Sequence, residues 1–122
     1  MVTIASFKYA LRGIKEVVSS ERNAKVHIVF AILAVVLAVI LKITLIDFLF
    51  IFIAISLVFF SEIINTALEK TLDLISQENN HMVQLTKDMM AGAVLVTATC
   101  AVVVAVGVFG PHIWQILTTY IT

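Results

Sequence analysis

The sequence is poor in charged residues, cysteine and glycine. Only 13% of its 122 residues are charged and the formal net charge is zero, so the eight basic residues give no case for nucleic-acid binding. The single Cys100 can form no internal disulfide. The four glycines, at positions 13, 92, 107 and 110, form neither a GxxxxGKS/T loop nor a kinase-type glycine-rich loop. Any nucleotide site must therefore be built without such loops.

Hydrophobic residues make up 61% of the chain, and the mean hydropathy is +1.11. A soluble domain of this length cannot bury so much apolar surface. Apolar runs cover residues 26–41, 48–60 and 89–109, whereas a helix needs roughly 20 residues to cross the hydrocarbon. The second run is long enough only if its helix continues beyond Phe60. We predict an all-α integral membrane protein with a single domain over 1–122 and transmembrane helices at about 24–44, 46–74 and 86–110.

The N-terminal segment has a different pattern, in which charged and apolar residues alternate. Apolar residues recur at helical spacing on one face from Ile4 to Val18, and basic residues flank that face. This pattern predicts an amphipathic surface helix over about 3–22, lying in the lipid headgroup layer. A helix packed against the protein's own bundle explains the pattern equally well.

The basic residues predict the orientation in the membrane. Five precede the first apolar run and two lie between the second and third runs, against one between the first and second runs and none in the tail. The positive-inside rule therefore places the N-terminus in the cytoplasm and the C-terminus outside. Pro111 is expected to end the third helix, and small residues every fourth position from Ala93 to Ala105 predict close helix packing along it.

The stretch "SEIINTALEKTLDL" puts acids at the end of the second apolar run. Glu62, Asn65, Glu69 and Asp73 form one stripe about 80° wide on a helix. Glu62 is expected inside the membrane edge, where an ionisable side chain normally faces the bundle interior and serves a function. The alternative is that the helix has left the membrane and these acids are solvated; for Lys70, which points away from the stripe, that interpretation is preferred.

Two further polar clusters are expected at the same membrane face. "ERNAKVH" opens the first membrane helix, and Lys87 and Asp88 open the third. His27 is expected to anchor the helix end, and contact with substrate or metal is the alternative. A snorkelling anchor and an N-terminal helix cap are the simpler roles for Lys87 and Asp88. Because all three membrane helices bring polar residues to this face, a functional site is favoured instead. Paired carboxylates can bind Mg²⁺, a lysine can neutralise a phosphoryl group, and a carboxylate in less polar surroundings can accept a hydroxyl proton. Phosphoryl transfer from ATP to a lipid alcohol fits this collection.

The blocks "ERNAKVH", "SEIINTALEKTLDL" and "KDMMAGAVLV" together resemble the bacterial membrane-integral diacylglycerol kinase family, and more closely its undecaprenol kinase branch. The resemblance extends from about Phe7 to about Gly107. It implies a homotrimer in the bacterial cytoplasmic membrane, each chain having a surface helix and three transmembrane helices. It also implies that MgATP phosphorylates a lipid alcohol at the inner membrane surface.

The resemblance also implies roles for individual residues. Glu62 would be the general base and, with Ala91, would contact the lipid substrate, while Asn65 would position groups around the base. Glu21 and Glu69 would hold Mg²⁺. The residues implied to bind the nucleotide are Tyr9, Arg12, Glu21, Glu69, Glu78, Asn79, Asn80, Lys87 and Asp88.

Several functions remain open from the residues themselves. We predict a kinase that converts undecaprenol to undecaprenyl phosphate; a diacylglycerol kinase making phosphatidic acid is the alternative. An ion or proton pathway would also place carboxylates in the membrane, but the first and third helices carry no acid in mid-membrane. A structural membrane subunit would leave Glu62, Asn65 and Glu69 without a role.

Overall fold

A computed structural model of the protein describes residues 3–75 and 80–121, and these form four α-helices. The helices are α1 (Ile4–Ser20), α2 (Arg22–Ile40), α3 (Leu45–Ile75) and α4 (His81–Ile121). By length and composition, α2, α3 and α4 can each cross a membrane. The prediction of an all-helical chain with three such helices is confirmed.

The distribution of side chains between surface and interior is the reverse of that in a soluble protein. Glu62 and Thr66 are the largest fully buried side chains in the described part of the chain. Many large apolar side chains of α2, α3 and α4 face outward, among them Phe30, Leu33, Phe50, Phe52, Leu95 and Val103. An apolar surface of this extent is unstable in water but costs nothing in hydrocarbon. The burial pattern therefore indicates a lipid environment around these helices.

The turn after α2 explains why this helix ends at Ile40 rather than at the predicted residue 44. Lys42 adopts a left-handed conformation, with φ of 51°. Its N–H donates to the Val39 carbonyl at 3.2 Å, and the N–H of Ile43 donates to the Ala38 carbonyl at 3.3 Å. These two bonds define a Schellman motif, which normally places glycine where Lys42 stands. The sequence has no glycine there to mark the helix end.

Capping side chains begin the next two helices. Thr44 Oγ1 accepts a hydrogen bond of 3.2 Å from the N–H of Asp47 at the start of α3. Asn80 Oδ1 accepts a bond of 2.8 Å from the N–H of Met82, so α4 begins at residue 81 and not at the predicted residue 86. Asp88 consequently lies inside α4, and the alternative that it caps the helix is wrong.

The third membrane helix continues through Pro111 to Ile121, so the predicted end at residue 110 is wrong. Proline lacks the N–H that would bond the carbonyl of Gly107, but membrane helices tolerate this loss where nearby side chains supply substitute bonds. His112 Nδ1 lies 2.9 Å from the carbonyl oxygen of Val108, in the same turn. When its proton is on Nδ1, the His112 ring donates a hydrogen bond to the Val108 carbonyl, next to the Gly107 carbonyl that Pro111 leaves unbonded.

Packing between α3 and α4 is the most extensive helix contact in the described residues. Three members of the predicted small-residue ridge, Thr97, Ala101 and Ala105, are half-buried, whereas Ala93 is exposed. A separate apolar core cluster lies near the α2–α3 turn and comprises Ala38, Ile51, Val108 and Phe109. The acidic stripe of α3 thus lies at the opposite end of the bundle from this core.

Candidate functional site

Glu62 is the centre of the candidate site. It is 1% exposed, although it is an acid on a helix whose neighbouring residues are mostly apolar. His27 Nε2, on α2, lies 3.2 Å from Glu62 Oε1. That is an ion-pair distance, but the ring N–H is not aligned for a hydrogen bond to this oxygen. The predicted role of His27 as a helix-end anchor is therefore incomplete, since the structure pairs it with the buried acid.

Two buried oxygen atoms in this site lack a hydrogen-bond partner among the described residues. They are Glu62 Oε1 and Asn65 Oδ1, which lie one helical turn apart on α3. An unsatisfied buried polar group costs roughly 1–3 kcal/mol, so such groups call for an explanation. Both atoms are acceptors, and the partner that would satisfy them is a hydrogen-bond donor or a cation.

Two further carboxylates lie around Glu62. Glu21 occupies the corner between α1 and α2, where its extended backbone (φ −99°, ψ 121°) turns the chain and its N–H bonds the Val17 carbonyl at 3.0 Å. Glu69 follows Glu62 by two turns of α3. Both are half-buried, and both interact electrostatically with Glu62. The acidic stripe grows more exposed along α3, from Glu62 through Asn65 and Glu69 to Asp73.

The carboxylates are consistent with a magnesium site that is completed by a ligand. Within residues 3–75 and 80–121, no three His, Cys, Asp or Glu side chains gather closely enough to hold a metal ion. Mg²⁺ does not need such a cage, because it usually takes one or two carboxylates and fills its shell with water and phosphate oxygens. Glu21 and Glu69 are half-buried and hence partly open to water, so they fit that donor set.

Lys87 links α4 to the acidic stripe. Its Nζ lies 2.7 Å from Asp73 Oδ1, and it also interacts electrostatically with Glu69. The neighbouring Asp88 is exposed and accepts a bond of 3.1 Å from Gln84 Nε2. The structure therefore brings Lys87 toward the stripe, whereas among the described residues the Asp88 side chain has its partner on its own helix.

The other predicted site residues lie farther out or outside the described part of the chain. Arg12 and Tyr9 are exposed on α1, which contacts α3 through an exposed ion pair of 3.6 Å between Glu16 and Lys70. Asn80 is exposed and caps α4, and Ala91 is exposed on that helix. Glu78 and Asn79 lie outside the described residues.

An apolar groove of about 410 Å³ lies between α2, α3 and α4, and its lining includes His27, the residue that contacts Glu62. Along α2 its lining extends from His27 to Leu37, about 15 Å of helix. The described lining is otherwise apolar, including Ala54 on α3 and Ala101 on α4, so His27 supplies its polar end. The groove therefore connects the polar site with the hydrophobic interior of the bundle.

Comparison with known proteins agrees with this geometry. Residues 8–109 match the family model described as prokaryotic diacylglycerol kinase. The chain is 33% identical to an undecaprenol kinase of Bacillus subtilis over 108 residues, which cover 88% of each chain. It is 32% identical to a diacylglycerol kinase of Synechocystis over 102 residues, which cover 83% of this chain and 58% of the relative. The chain therefore belongs to the prokaryotic diacylglycerol kinase family and is a lipid kinase that uses ATP as co-substrate.

Proposed function

We propose that the protein transfers the γ-phosphoryl group of MgATP to the hydroxyl of undecaprenol and so makes undecaprenyl phosphate. The observation that carries the proposal is the pair of buried acceptors, Glu62 Oε1 and Asn65 Oδ1, of which Glu62 Oε1 lies 3.2 Å from His27, the polar residue of an apolar groove. The relative named undecaprenol kinase supports this acceptor, because the match covers 88% of both chains. Diacylglycerol is the second candidate, since the other relative is named for it.

In the proposed reaction Glu62 is the general base. A lipid alcohol is a hydrogen-bond donor, so its O–H group can satisfy the unpartnered acceptors of Glu62 and Asn65. The lipid oxygen forms a bond to the γ-phosphorus while its proton passes to Glu62, and the bond from that phosphorus to the β–γ bridging oxygen breaks. The products are the lipid phosphate and ADP, and the proton on Glu62 then returns to water.

The remaining polar residues would bind the nucleotide. Glu21 and Glu69 would hold Mg²⁺, which neutralises charge on phosphate oxygens when bound. Lys87 would contact the phosphates; its electrostatic interaction with Glu69 supports this role. Because Lys87 already pairs with Asp73, nucleotide binding would exchange one anionic partner for another. Asp88 would support the nucleotide from its exposed position on α4.

The groove would take the part of the lipid chain nearest the hydroxyl. Its lining is apolar except at His27, and that end lies next to Glu62. A hydrocarbon chain in the groove would bring the head hydroxyl to the buried acceptors. This arrangement would explain how a long apolar substrate reaches a carboxylate that is 1% exposed.

The membrane placement is also a proposal. Three helices that can span a membrane and the bacterial relatives support an inner-membrane protein, and the excess of basic residues supports a cytoplasmic N-terminus. On α1, Ile4, Phe7 and Leu11 are exposed and Val17 is buried, which favours a helix in the headgroup layer over one packed fully on the bundle. Tyr9 and Arg12 would then close over ATP. The homotrimer rests on the family resemblance, and native mass measurement in detergent tests it.

An acceptor competition tests the proposed reaction. Undecaprenol and diacylglycerol would be offered together in the same micelles with labelled MgATP, and the labelled lipids would be separated. We expect undecaprenyl phosphate to dominate. Dominant phosphatidic acid would overturn the choice of acceptor, and no label in either lipid would overturn the proposed function itself.

A further inference from the structure

We infer that His27 is a positioning residue, which holds the Glu62 carboxylate in the orientation needed to accept the proton of the lipid hydroxyl. This inference rests on the proposed function and adds a residue to its site. The contact joins α2 to α3 across 35 positions of sequence, with 3.2 Å between His27 Nε2 and Glu62 Oε1.

The surroundings of Glu62 make this contact necessary. The Glu62 side chain is 2% exposed, and a buried carboxylate without a partner is costly. The two other groups that interact electrostatically with it, Glu21 and Glu69, are carboxylates of the same charge sign and repel it. His27 is the described side chain that attracts it. This contact restricts the torsions of the Glu62 side chain, and because the ring N–H is not aligned to bond Oε1, that oxygen stays able to accept the hydroxyl proton.

The face of α2 that carries His27 is built to bring this side chain close to α3. His27 belongs to a series with spacings of three and four, whose other members are all alanines: Ala24, Ala31, Ala34 and Ala38. Ala24 is completely buried, and Ala31 and Ala34 line the groove with His27. Alanines let two helices approach closely, so the one long polar side chain in this series reaches across to α3. The helix face therefore has a single polar contact point, and it lies at Glu62.

A role limited to anchoring the helix end predicts different behaviour. An anchoring histidine would interact with interfacial water, but the His27 side chain is only 23% exposed and points to a buried acid. Loss of an anchor would lower stability and leave the turnover of folded protein unchanged. Loss of a positioning contact would instead lower kcat, with little change in the KM for MgATP.

The test compares His27→Leu, which removes the polar contact with Glu62, with His27→Gln, whose side-chain amide places a polar N–H group near the position of Nε2. We expect His27→Leu to lower kcat about 100-fold, the scale of loss from a misplaced catalytic group. The KM for MgATP should stay within about twofold, and His27→Gln should regain at least about tenfold of the lost kcat. His112→Gln, at the far end of the bundle, is the control and should keep the wild-type kcat.

The measurement is steady-state transfer of labelled phosphate to undecaprenol in micelles, with circular dichroism confirming the helical fold. If His27→Leu fails to fold, His27→Asn replaces it, because its amide is too short to reach Glu62. If the kcat of His27→Leu, or of His27→Asn where that variant replaces it, equals the wild-type kcat, the inference is overturned. A His27→Gln variant with a kcat no higher than that of the leucine or asparagine variant would overturn it as well. If wild-type protein labels no lipid at all, the proposed function fails instead, so the two failures are distinguishable.

Discussion

Ser61 Oγ and Thr97 Oγ1 lie 2.8 Å apart and join α3 to α4 immediately beside Glu62. Ser61 is buried and Thr97 is half-buried, so this contact lies within the helix interface. Small hydroxyl side chains allow close approach of two membrane helices and add a hydrogen bond between them. The contact fixes the rotation of α3 about its own axis, so that the next residue, Glu62, faces the bundle interior.

Loss of this interhelical bond should destabilise the bundle. Thr97→Val keeps the side-chain volume and removes the hydroxyl, and we expect a loss of about 1 kcal/mol in the free energy of unfolding, within the range for hydrogen bonds between membrane helices. Unfolding by denaturing detergent would measure it. The control is Thr99→Val, because Thr99 is exposed and its hydroxyl bonds the Leu95 carbonyl of its own helix at 2.8 Å. Equal losses in both variants would contradict an interhelical role for Thr97.

Lys42→Gly should stabilise the protein. Lys42 has φ of 51°, and this conformation costs roughly 1–2 kcal/mol for a residue with a Cβ atom. Glycine removes that cost but adds freedom to the unfolded chain, so a net gain of about 0.5–1 kcal/mol is expected. The same unfolding experiment applies, with Lys42→Ala as the control because alanine retains the Cβ atom. A lower stability for the glycine variant would show that the Schellman turn is not strained.

The sequence was sufficient to predict the membrane helices and the inward-facing position of Glu62. The apolar run ending at Phe60 is too short to cross the hydrocarbon, so the helix had to continue through the acid. The exact helix ends were not predictable in the same way. Lys42 ends α2 in a conformation that usually marks glycine, and Pro111 does not end α4. In both places local hydrogen bonds outweigh the usual preference of the residue.

The contact between Glu62 and His27 could not be predicted from the sequence pattern. His27 lies 35 positions earlier on another helix, and periodicity within one helix carries no information about contacts between helices. The only available signal was its place in the "ERNAKVH" block beside Glu21. The roles of Glu21, Asn65 and Glu69 came from family resemblance, and they stay predictions until variants are assayed.

Lys87 should matter more for nucleotide use than its partner Asp73 does. If Lys87 contacts phosphate, Lys87→Met should lower kcat/KM for MgATP by roughly 10- to 100-fold, the value of one lost bond to a charged group. Asp73→Asn removes the 2.7 Å ion pair but leaves the lysine and should change kcat/KM by less than about threefold. Lys70→Met, at an exposed lysine paired with Glu16, is the control. Similar losses in Lys87→Met and Asp73→Asn would mean that Lys87 only braces α4 against α3.

Glu69→Ala should weaken the response to Mg²⁺. Removal of one of two proposed carboxylate ligands should raise the Mg²⁺ concentration for half-maximal activity about tenfold, which corresponds to roughly 1.4 kcal/mol. Titration of Mg²⁺ at fixed ATP would measure it, and Glu16→Ala, at an exposed carboxylate of α1, is the matched control. An unchanged Mg²⁺ requirement in the Glu69 variant would argue against ligation by Glu69.

The central claim is that the buried Glu62 accepts the proton of a lipid alcohol. Turnover of purified wild type, Glu62→Ala and Asp47→Asn with labelled MgATP and undecaprenol tests it most directly. Asp47 is a carboxylate on the same helix, about 22 Å earlier along α3, so its change should leave turnover intact. The account predicts a loss of at least about 100-fold in the Glu62 variant, with helical content unchanged, because a general base contributes about that much. Equal turnover in Glu62→Ala and wild type would contradict the account.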